Sequence, residues 1–261
     1  MPDVLKLTRS GPLATVRMDR PDSHNALNAV LIEELTRCFD ELAEDEQTRV
    51  VVLAGEGRSF CAGADIGYMR QAAGLSYEEN LEDARRLAMM FWTIDECPKP
   101  VVAKVQGAAM GGGAGLLAVA DVVVADAEAR FAFSEIRLGI APATISPFVV
   151  RKIGFSHARS LFLTGERFGA ERAQEIGLVH KVVSSDALDE AVEKMAGELL
   201  QGGPVAQATL KGLLRRLETT EPMEAPGLTA RVISELRTGE EGQEGLAAFL
   251  EKREPRWRRE Q

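Results

Sequence analysis

Five glycines among the nine residues 107–115, Gly-Ala-Ala-Met-Gly-Gly-Gly-Ala-Gly, make this segment a candidate anion site. It lies between an apolar run typical of a buried strand and the apolar start of a helix. Glycine lets the main chain adopt positive φ and lets a ligand approach backbone N–H groups. The first N–H groups of a helix lack partners within it and favour negative charge. The segment is therefore a candidate cradle for an anion or oxyanion, and the alternative is a tight packing turn.

A second candidate is segment 60–66, Phe-Cys-Ala-Gly-Ala-Asp-Ile, which follows another apolar run. Loops at the strand ends of open α/β sheets often bind ligands, and small residues let a ligand reach the main chain. The alternative is a plain connecting loop in which Asp65 caps a short helix.

Glu135 is the third candidate, because it stands among the apolar residues of the stretch Phe-Ala-Phe-Ser-Glu-Ile-Arg-Leu at 131–138. Apolar neighbours can desolvate a carboxyl group and raise its pKa, which suits a general acid or base. The alternative is a surface carboxylate paired with Arg137 or another base.

The elements that must position these segments alternate between strands and helices. Apolar residues at helical spacing predict helices, and continuous apolar runs predict strands buried on both faces. The predicted strands cover 5–8, 13–18, 50–54, 101–105 and 122–125, and the predicted helices cover 27–42, 77–97 and 116–120. This order implies right-handed crossovers and a mainly parallel sheet, so we expect an α/β fold.

Beyond about residue 146 the pattern changes to helices. They are predicted over 146–164, 169–177, 186–202, 204–217 and 223–250. We therefore expect an α/β core over residues 1–200 and a helical C-terminal region over 201–261 that serves oligomerisation or capping.

Composition narrows the classes of partner. The chain has 31 basic and 40 acidic residues, a formal charge of −9, which argues against a nucleic-acid partner but allows a local basic pocket for a small anion. Three cysteines without CxxC spacing fit reduced thiols, and three scattered histidines without an HExxH motif argue against a metal site. No apolar run is long enough for a membrane span and no signal peptide is evident. We expect a cytoplasmic protein without a membrane partner.

Taken together and in register, the motifs resemble those of the crotonase (enoyl-CoA hydratase/isomerase) family. The matching stretches include Arg-Pro at 20–21 with Asn-Ala-Leu-Asn at 25–28, segment 60–66, Lys-Pro-Val-Val-Ala at 99–103, the glycines at 107 and 111–113, and Glu135. The resemblance covers nearly the whole chain and implies a core of repeated β-β-α units.

The resemblance also implies roles for particular residues. Family members bind an acyl-CoA thioester and hold its carbonyl oxygen with two backbone N–H groups, which by motif position are those of Ala64 and Gly112. The loop from Ala62 through Asp65 to Ile66 resembles the one that contacts the adenine end of coenzyme A. Family hydratases use two glutamates, and the second falls on Glu135. No cofactor is implied beyond the coenzyme A of the substrate, and relatives are trimers or paired trimers.

Two departures from the family pattern concern the acyl end. The first glutamate would fall on Gly115, which has no carboxylate, and the stretch Pro-Ala-Thr-Ile-Ser-Pro at 142–147 replaces a glycine-rich turn. That stretch resembles a bacterial branch of methylglutaconyl- and isohexenylglutaconyl-type hydratases, which also has glycine at the first-glutamate position.

Three functions follow as hypotheses. The leading one is a hydratase for a 2-enoyl-CoA, with a branched or carboxylated acyl chain as one option and Glu135 as acid and base. The second is an enoyl-CoA isomerase, because one base suffices to take and return a proton. The third is a catalytically weak CoA- or RNA-binding scaffold. The formal charge of −9 argues against binding to RNA.

Overall fold

A computed structural model describes residues 4–259. Its strands are β1 (Leu5–Ser10), β2 (Leu13–Met18), β3 (Val50–Gly55), β4 (Val101–Val105), β5 (Ala108–Met110), β6 (Val122–Asp126), β7 (Arg130–Ala132), β8 (Arg167–Gly169) and β9 (Lys181–Val183). Its α-helices are α1 (Ala29–Glu44), α2 (Ile66–Ala72), α3 (Tyr77–Glu96), α4 (Gly112–Val119), α5 (Ser146–Thr164), α6 (Ala170–Glu175), α7 (Leu188–Leu200), α8 (Pro204–Leu217), α9 (Ala225–Thr238), α10 (Glu240–Leu250) and α11 (Arg256–Arg259).

The larger sheet has six strands in the order β1-β2-β3-β4-β6-β9. Only the β1–β2 hairpin is antiparallel, and every other neighbouring pair is parallel. All six residues of β3 are buried, because helices or other chain segments cover both faces of the central strands. The predicted α/β fold with a mainly parallel sheet and C-terminal helices is confirmed.

A smaller sheet, in the order β5-β7-β8, brings the glycine-rich segment 107–115 next to the stretch that contains Glu135. Strand β5 lies inside the glycine-rich segment and runs parallel to β7. Strand β7 leads directly into a short 3-10 helix, Glu135–Leu138, whose first residue is the candidate acid and base. The pairing of β5 with β7 therefore fixes Glu135 relative to the glycine-rich segment.

Four short strands were not predicted from the sequence, and some predicted helix boundaries were wrong. The sequence pattern did not reveal β5, β7, β8 or β9, since three residues are too few for a periodic signal and these strands are held by distant partners. Strands β8 and β9 interrupt a stretch predicted to be all helical. The predicted helix 223–250 is divided into α9 and α10 at Gly239, and α4 begins at Gly112 rather than at 116.

The C-terminal third packs onto the core through α7 and α8. Buried Leu188 and Val192 of α7 join Val50 and Val102 of the sheet in a small second core. The ammonium group of Lys211, on α8, lies 2.6 Å from a carboxylate oxygen of Asp121. The division into a core over 1–200 and a separate C-terminal region stays a prediction. Within residues 4–259 no helix combines the length and apolar character needed to cross a membrane.

Candidate active site

The glycine-rich segment presents one backbone N–H group without a partner. Gly111 has a φ of 49° at the start of α4, and its carbonyl accepts the first helical hydrogen bond from the N–H of Gly115 (3.0 Å). Because N–H and C=O point in opposite directions across a trans peptide, the N–H of Gly112 points out of the N-terminal end of α4. No acceptor in residues 4–259 binds that N–H.

The 61–65 loop presents a second N–H group of the same kind. The N–H of Leu27 donates to the carbonyl of Gly63 (2.7 Å), and the N–H of Asp65 donates to the carbonyl of Leu27 (2.9 Å). The carbonyl of Gly63 and the N–H of Ala64 share one peptide plane, so this N–H points away from Leu27. Within the described chain it too has no acceptor.

The two segments are in direct contact. The N–H of Cys61 donates to the carbonyl of Ala108, and the N–H of Met110 donates to the carbonyl of Cys61, both at 3.0 Å. A Cβ atom added to Gly113 would lie 2.2 Å from the carbonyl oxygen of Cys61. Two unpartnered amides therefore stand on adjoining pieces of backbone, an arrangement that suits one shared oxyanion.

The carboxyl group of Glu135 lies against this backbone. A Cβ atom added to Gly111 would be 2.9 Å from its Oε1 atom. Its Oε2 atom is buried without a hydrogen-bond partner in the described structure, and burial raises the pKa of the carboxyl group. Among residues 4–259 no ion pair joins Glu135 to Arg137 or to another base, so the alternative of a paired surface carboxylate is wrong.

Apolar side chains fill the space beside Gly115, the position at which the family resemblance would place a first glutamate. A Cβ atom on Gly115 would lie 2.3 Å from Cγ2 of Ile145 and 3.1 Å from the ring of Phe91. Both side chains are buried. A mainly apolar cavity of about 330 Å³ lies between α3 and α5, lined in part by Met89, Trp92 and Phe148. The ring centroid of Phe148 is 6.2 Å from that of Phe91.

The predicted coenzyme A loop has a more structural role than the sequence suggested. Asp65 caps α2, since its Oδ1 atom accepts from the N–H groups of Gly67 and Tyr68. Its Oδ2 atom accepts from the guanidinium group of Arg20 (2.9 Å), which lowers the pKa of the Asp65 carboxyl. The N–H of Ala62 is occupied by the carbonyl of His24, whereas the side chain of Ile66 is 67% exposed.

Sequence reasoning missed the residues that support the site. Arg20 and Asn25 stood in the matching motif without a role. Ile145, within the 142–147 stretch, and Phe91 were expected near the acyl pocket, but not as the side chains that fill the space beside Gly115. One feature of the sequence could have indicated them. The mostly polar segment 20–28, between a strand and a helix, is longer than a simple turn needs. Among the described residues no group of His, Cys, Asp and Glu could hold a metal ion.

The sequence and the fold of the chain were compared with those of known proteins. Residues 8–260 match the enoyl-CoA hydratase/isomerase family. The chain belongs to that family. A solved enoyl-CoA hydratase from Shewanella pealeana superposes with a TM-score of 0.94 at 40% identity, over 97% of this chain and 96% of that one.

Two family members with named substrates cover almost the whole chain. The 2,3-dehydroadipyl-CoA hydratase of Escherichia coli is 32% identical over 252 residues, which is 96% of this chain and 97% of that protein. The short-chain-enoyl-CoA hydratase of Clostridium acetobutylicum is 31% identical over 253 residues, with 95% and 94% covered. The predicted membership of the crotonase family is confirmed, and the prediction of an enzyme of the hydratase type agrees with these relatives.

Proposed function

We propose that the protein is an enoyl-CoA hydratase, which adds water across the 2,3 double bond of an acyl-CoA thioester. One observation carries the proposal: two unpartnered backbone amides adjoin a buried carboxyl group that has no ion-pair partner in the described chain. That combination matches the charges of the reaction, in which an enolate oxygen forms while a proton moves at the neighbouring carbons.

The amides of Ala64 and Gly112 bind the thioester carbonyl oxygen. As water adds, negative charge develops on this oxygen, and donors that are already in place stabilise it without reorganisation. Removing one such donor typically costs about 3–4 kcal/mol of transition-state stabilisation. The N-terminal end of α4, from which the N–H of Gly112 points, adds a favourable dipole.

Glu135 moves the protons. As a carboxylate it takes a proton from water, whose oxygen bonds to Cβ of the substrate, and the electrons of the double bond pass to the enolate. Glu135 then returns the proton to Cα, so that one H and one OH have been added. Burial raises its pKa and therefore brings it closer to the pH at which it must both accept and donate.

Coenzyme A binds along the 62–66 loop in this proposal, with its adenine end near Ala62, Asp65 and Ile66. The acyl chain passes the wall of Ile145 and Phe91 toward the cavity between α3 and α5. The apolar lining there favours a short or branched chain. Arg151 also lines this cavity, but its guanidinium group is already paired with Asp95 and Glu218. The two relatives named above act, by their names, on a carboxylated and on a short chain.

Assembly as a trimer or a pair of trimers in the cytoplasm is part of the proposal. Apolar side chains lie exposed on the single chain, among them Phe155 at 80% and Phe249 at 81%, and burial against further copies would cover them. The three cysteines are unpaired and buried, which fits a reducing compartment.

An enoyl-CoA isomerase is the second candidate, and the filling of the first-glutamate position by Ile145 favours it. Moving a double bond requires one base that takes a proton and returns it, and no water needs to be placed. Only one carboxyl group, that of Glu135, is assigned to the site.

The test offers the purified protein a 2-enoyl-CoA and a 3-enoyl-CoA across a panel of acyl chains. Hydration removes the conjugated absorbance of the first, and isomerisation of the second creates it. We expect Glu135→Gln to lower kcat by about 10²–10⁴-fold, whereas the control Glu128→Gln, at a side chain 80% exposed, leaves it unchanged. If neither substrate changes and Glu135→Gln has no effect, the protein is a binding scaffold.

A further inference from the structure

We infer that Arg20 is a positioning residue that holds the Ala64 amide toward the oxyanion, acting through Asp65. The inference rests on the proposed function, because it assigns a support to one of the two oxyanion donors. The guanidinium group of Arg20 makes its hydrogen bonds with Ala26 and Asp65. Its effect would pass through the loop backbone.

The 61–65 loop lies along residues 24–27, which serve as its template. Three backbone hydrogen bonds join the two segments: Ala62 N–H to the carbonyl of His24, Leu27 N–H to the carbonyl of Gly63, and Asp65 N–H to the carbonyl of Leu27, at 2.9, 2.7 and 2.9 Å. The middle bond fixes the peptide plane that carries the Ala64 N–H. Gly63, at a φ of 95°, is the place where that plane could most easily rotate.

The guanidinium group of Arg20 joins the template to the loop. One terminal nitrogen donates to the carbonyl of Ala26, on the template, and the other donates to Oδ2 of Asp65, on the loop. The side chains of Arg20 and Asp65 are only 18% and 20% exposed, so solvent screens the ion pair less than it screens surface pairs. A planar guanidinium group can make both contacts at once, which an ammonium group on a lysine stem does less well.

Arg20 is itself held in place by Asn25. The side chain of Asn25 is fully buried and accepts from the N–H of Arg20 (2.9 Å), and its amide nitrogen donates to the carbonyls of Glu56 (2.9 Å) and Ser59 (2.8 Å). Asn25 also adopts a φ of 56°, which this network of hydrogen bonds must maintain. Because Asn25 fixes the backbone of Arg20, the position that the Arg20 guanidinium group can reach is restricted.

This arrangement predicts a particular kinetic effect. Without Arg20 the loop keeps its backbone hydrogen bonds, but the Ala64 amide has more freedom to turn away from the oxyanion. An oxyanion donor acts mainly in the transition state, so its misalignment lowers kcat more than it raises KM. We expect Arg20→Gln to lower kcat on a 2-enoyl-CoA by about 10–100-fold, with KM changed less than about threefold.

The experiment compares Arg20→Gln, Asp65→Asn and the double variant with Arg17→Gln. Arg17 makes a looser ion pair with Glu56 at 3.7 Å and is therefore the matched control, expected to keep wild-type kcat. The two single variants should lower kcat by similar factors and the double variant by little more, since both break one contact. Arg20→Lys, which keeps the charge, should recover part of the loss. Thermal unfolding identifies any variant that is misfolded.

The ligand-free protein supplies a readout that does not depend on activity. With selective ¹⁵N-alanine labelling, the amide resonance of Ala64 should move or broaden in Arg20→Gln and Asp65→Asn but not in Arg17→Gln. If the wild type turns over no enoyl-CoA, the proposed function has failed and this resonance alone decides the inference. An unmoved Ala64 resonance overturns it. If the wild type is active and Arg20→Gln changes kcat by less than twofold, the inference is also overturned. The same holds if Arg20→Gln raises only KM, which would indicate that Arg20 contacts coenzyme A.

Discussion

The two backbone segments that present unpartnered amides are held in different ways. Around Gly112 the main chain is fixed by close packing: a Cβ atom on Gly113 would enter the backbone of Cys61, and one on Gly112 would lie 2.8 Å from Leu27. Around Ala64 the main chain is fixed by hydrogen bonds to residues 24–27 and by the ion pair of Asp65 with Arg20. One segment is positioned by the absence of side chains, the other by polar side chains.

The difference has a consequence for how each segment responds to change. Close packing is all-or-none, because even one added methyl group must displace backbone. Polar support is graded, because each hydrogen bond or ion pair contributes a modest free energy that depends on pH and salt. A single substitution in the glycine-rich segment should therefore displace its backbone outright. Loss of one polar contact should displace the 61–65 loop only in part.

Gly113→Ala should have the largest effect. Its Cβ atom would lie 2.2 Å from the carbonyl oxygen and 2.9 Å from the Cβ atom of Cys61, so the two segments must separate. We expect a loss of about 3 kcal/mol in the free energy of unfolding and a fall in kcat of at least about 10²-fold. Denaturant unfolding and the hydratase assay measure the two losses.

Gly197→Ala is the matched control for that change, because it lies inside α7 and its Cβ atom would meet nothing within 4 Å. It should raise the free energy of unfolding by about 0.5–1 kcal/mol, as alanine does in a helix. If Gly113→Ala unfolds like the wild type and keeps its activity, close packing does not fix the glycine-rich segment.

Gly115→Glu should have an intermediate effect that a second substitution reverses in part. Alone it forces a side chain into Cγ2 of Ile145 and should cost about 1–3 kcal/mol in the free energy of unfolding. Ile145→Ala removes Cγ2, the nearest obstructing atom, and leaves Cβ of residue 145 at 3.0 Å and the ring of Phe91 at 3.1 Å. The double variant should therefore be more stable than the sum of the single effects predicts.

The double variant also distinguishes the two candidate reactions. If hydration is limited by the missing carboxylate, the ratio of hydration to isomerisation should rise when Gly115→Glu is combined with Ile145→Ala, and Ile145→Ala alone is the control. Additive losses of stability would show that Ile145 is not what excludes a side chain at position 115.

The sequence was informative where a pattern is local. The runs that became β3, β4 and β6 and the helices α1 and α3 were recognised from neighbouring residues alone. The apolar neighbours of Glu135 made it a candidate, but its role as acid and base was implied by the family resemblance. The order of motifs then indicated the family. Asp65 was correctly named as a helix cap among the alternatives, because an acidic residue before a short helix is a local signal.

What the sequence could not supply is contact between distant segments. Strand β5 forms only because β7 and Cys61 supply hydrogen-bond partners, so nothing in its three residues predicted it. That Ile145 fills the space beside Gly115 depends on how α5 packs over α4. The bond from Arg20 to Asp65 spans 45 residues and required the folded loop.

Of these three substitutions, Asp65→Ala should have the smallest effect on the free energy of unfolding, and it tests the polar support of the 61–65 loop. Loss of the cap of α2 should cost about 1 kcal/mol at neutral pH, or about 2–4 °C in Tm for a chain of this length. Asn28→Ala is the matched control: Asn28 caps α1 through a side-chain oxygen that accepts from the N–H of Leu31, but its amide does not titrate.

The two caps should differ in how their loss depends on pH. The hydrogen bond from Arg20 lowers the pKa of Asp65 in the folded state below its unfolded value of about 3.9. The carboxylate therefore contributes stability that is fully present above the unfolded pKa and is lost as the pH falls through the folded pKa. The difference in Tm between wild type and Asp65→Ala should shrink as the pH is lowered from 5 toward 2, while that for Asn28→Ala stays constant. A constant difference for both variants would mean that the charge of Asp65 contributes nothing and that the loop is held by its backbone hydrogen bonds alone.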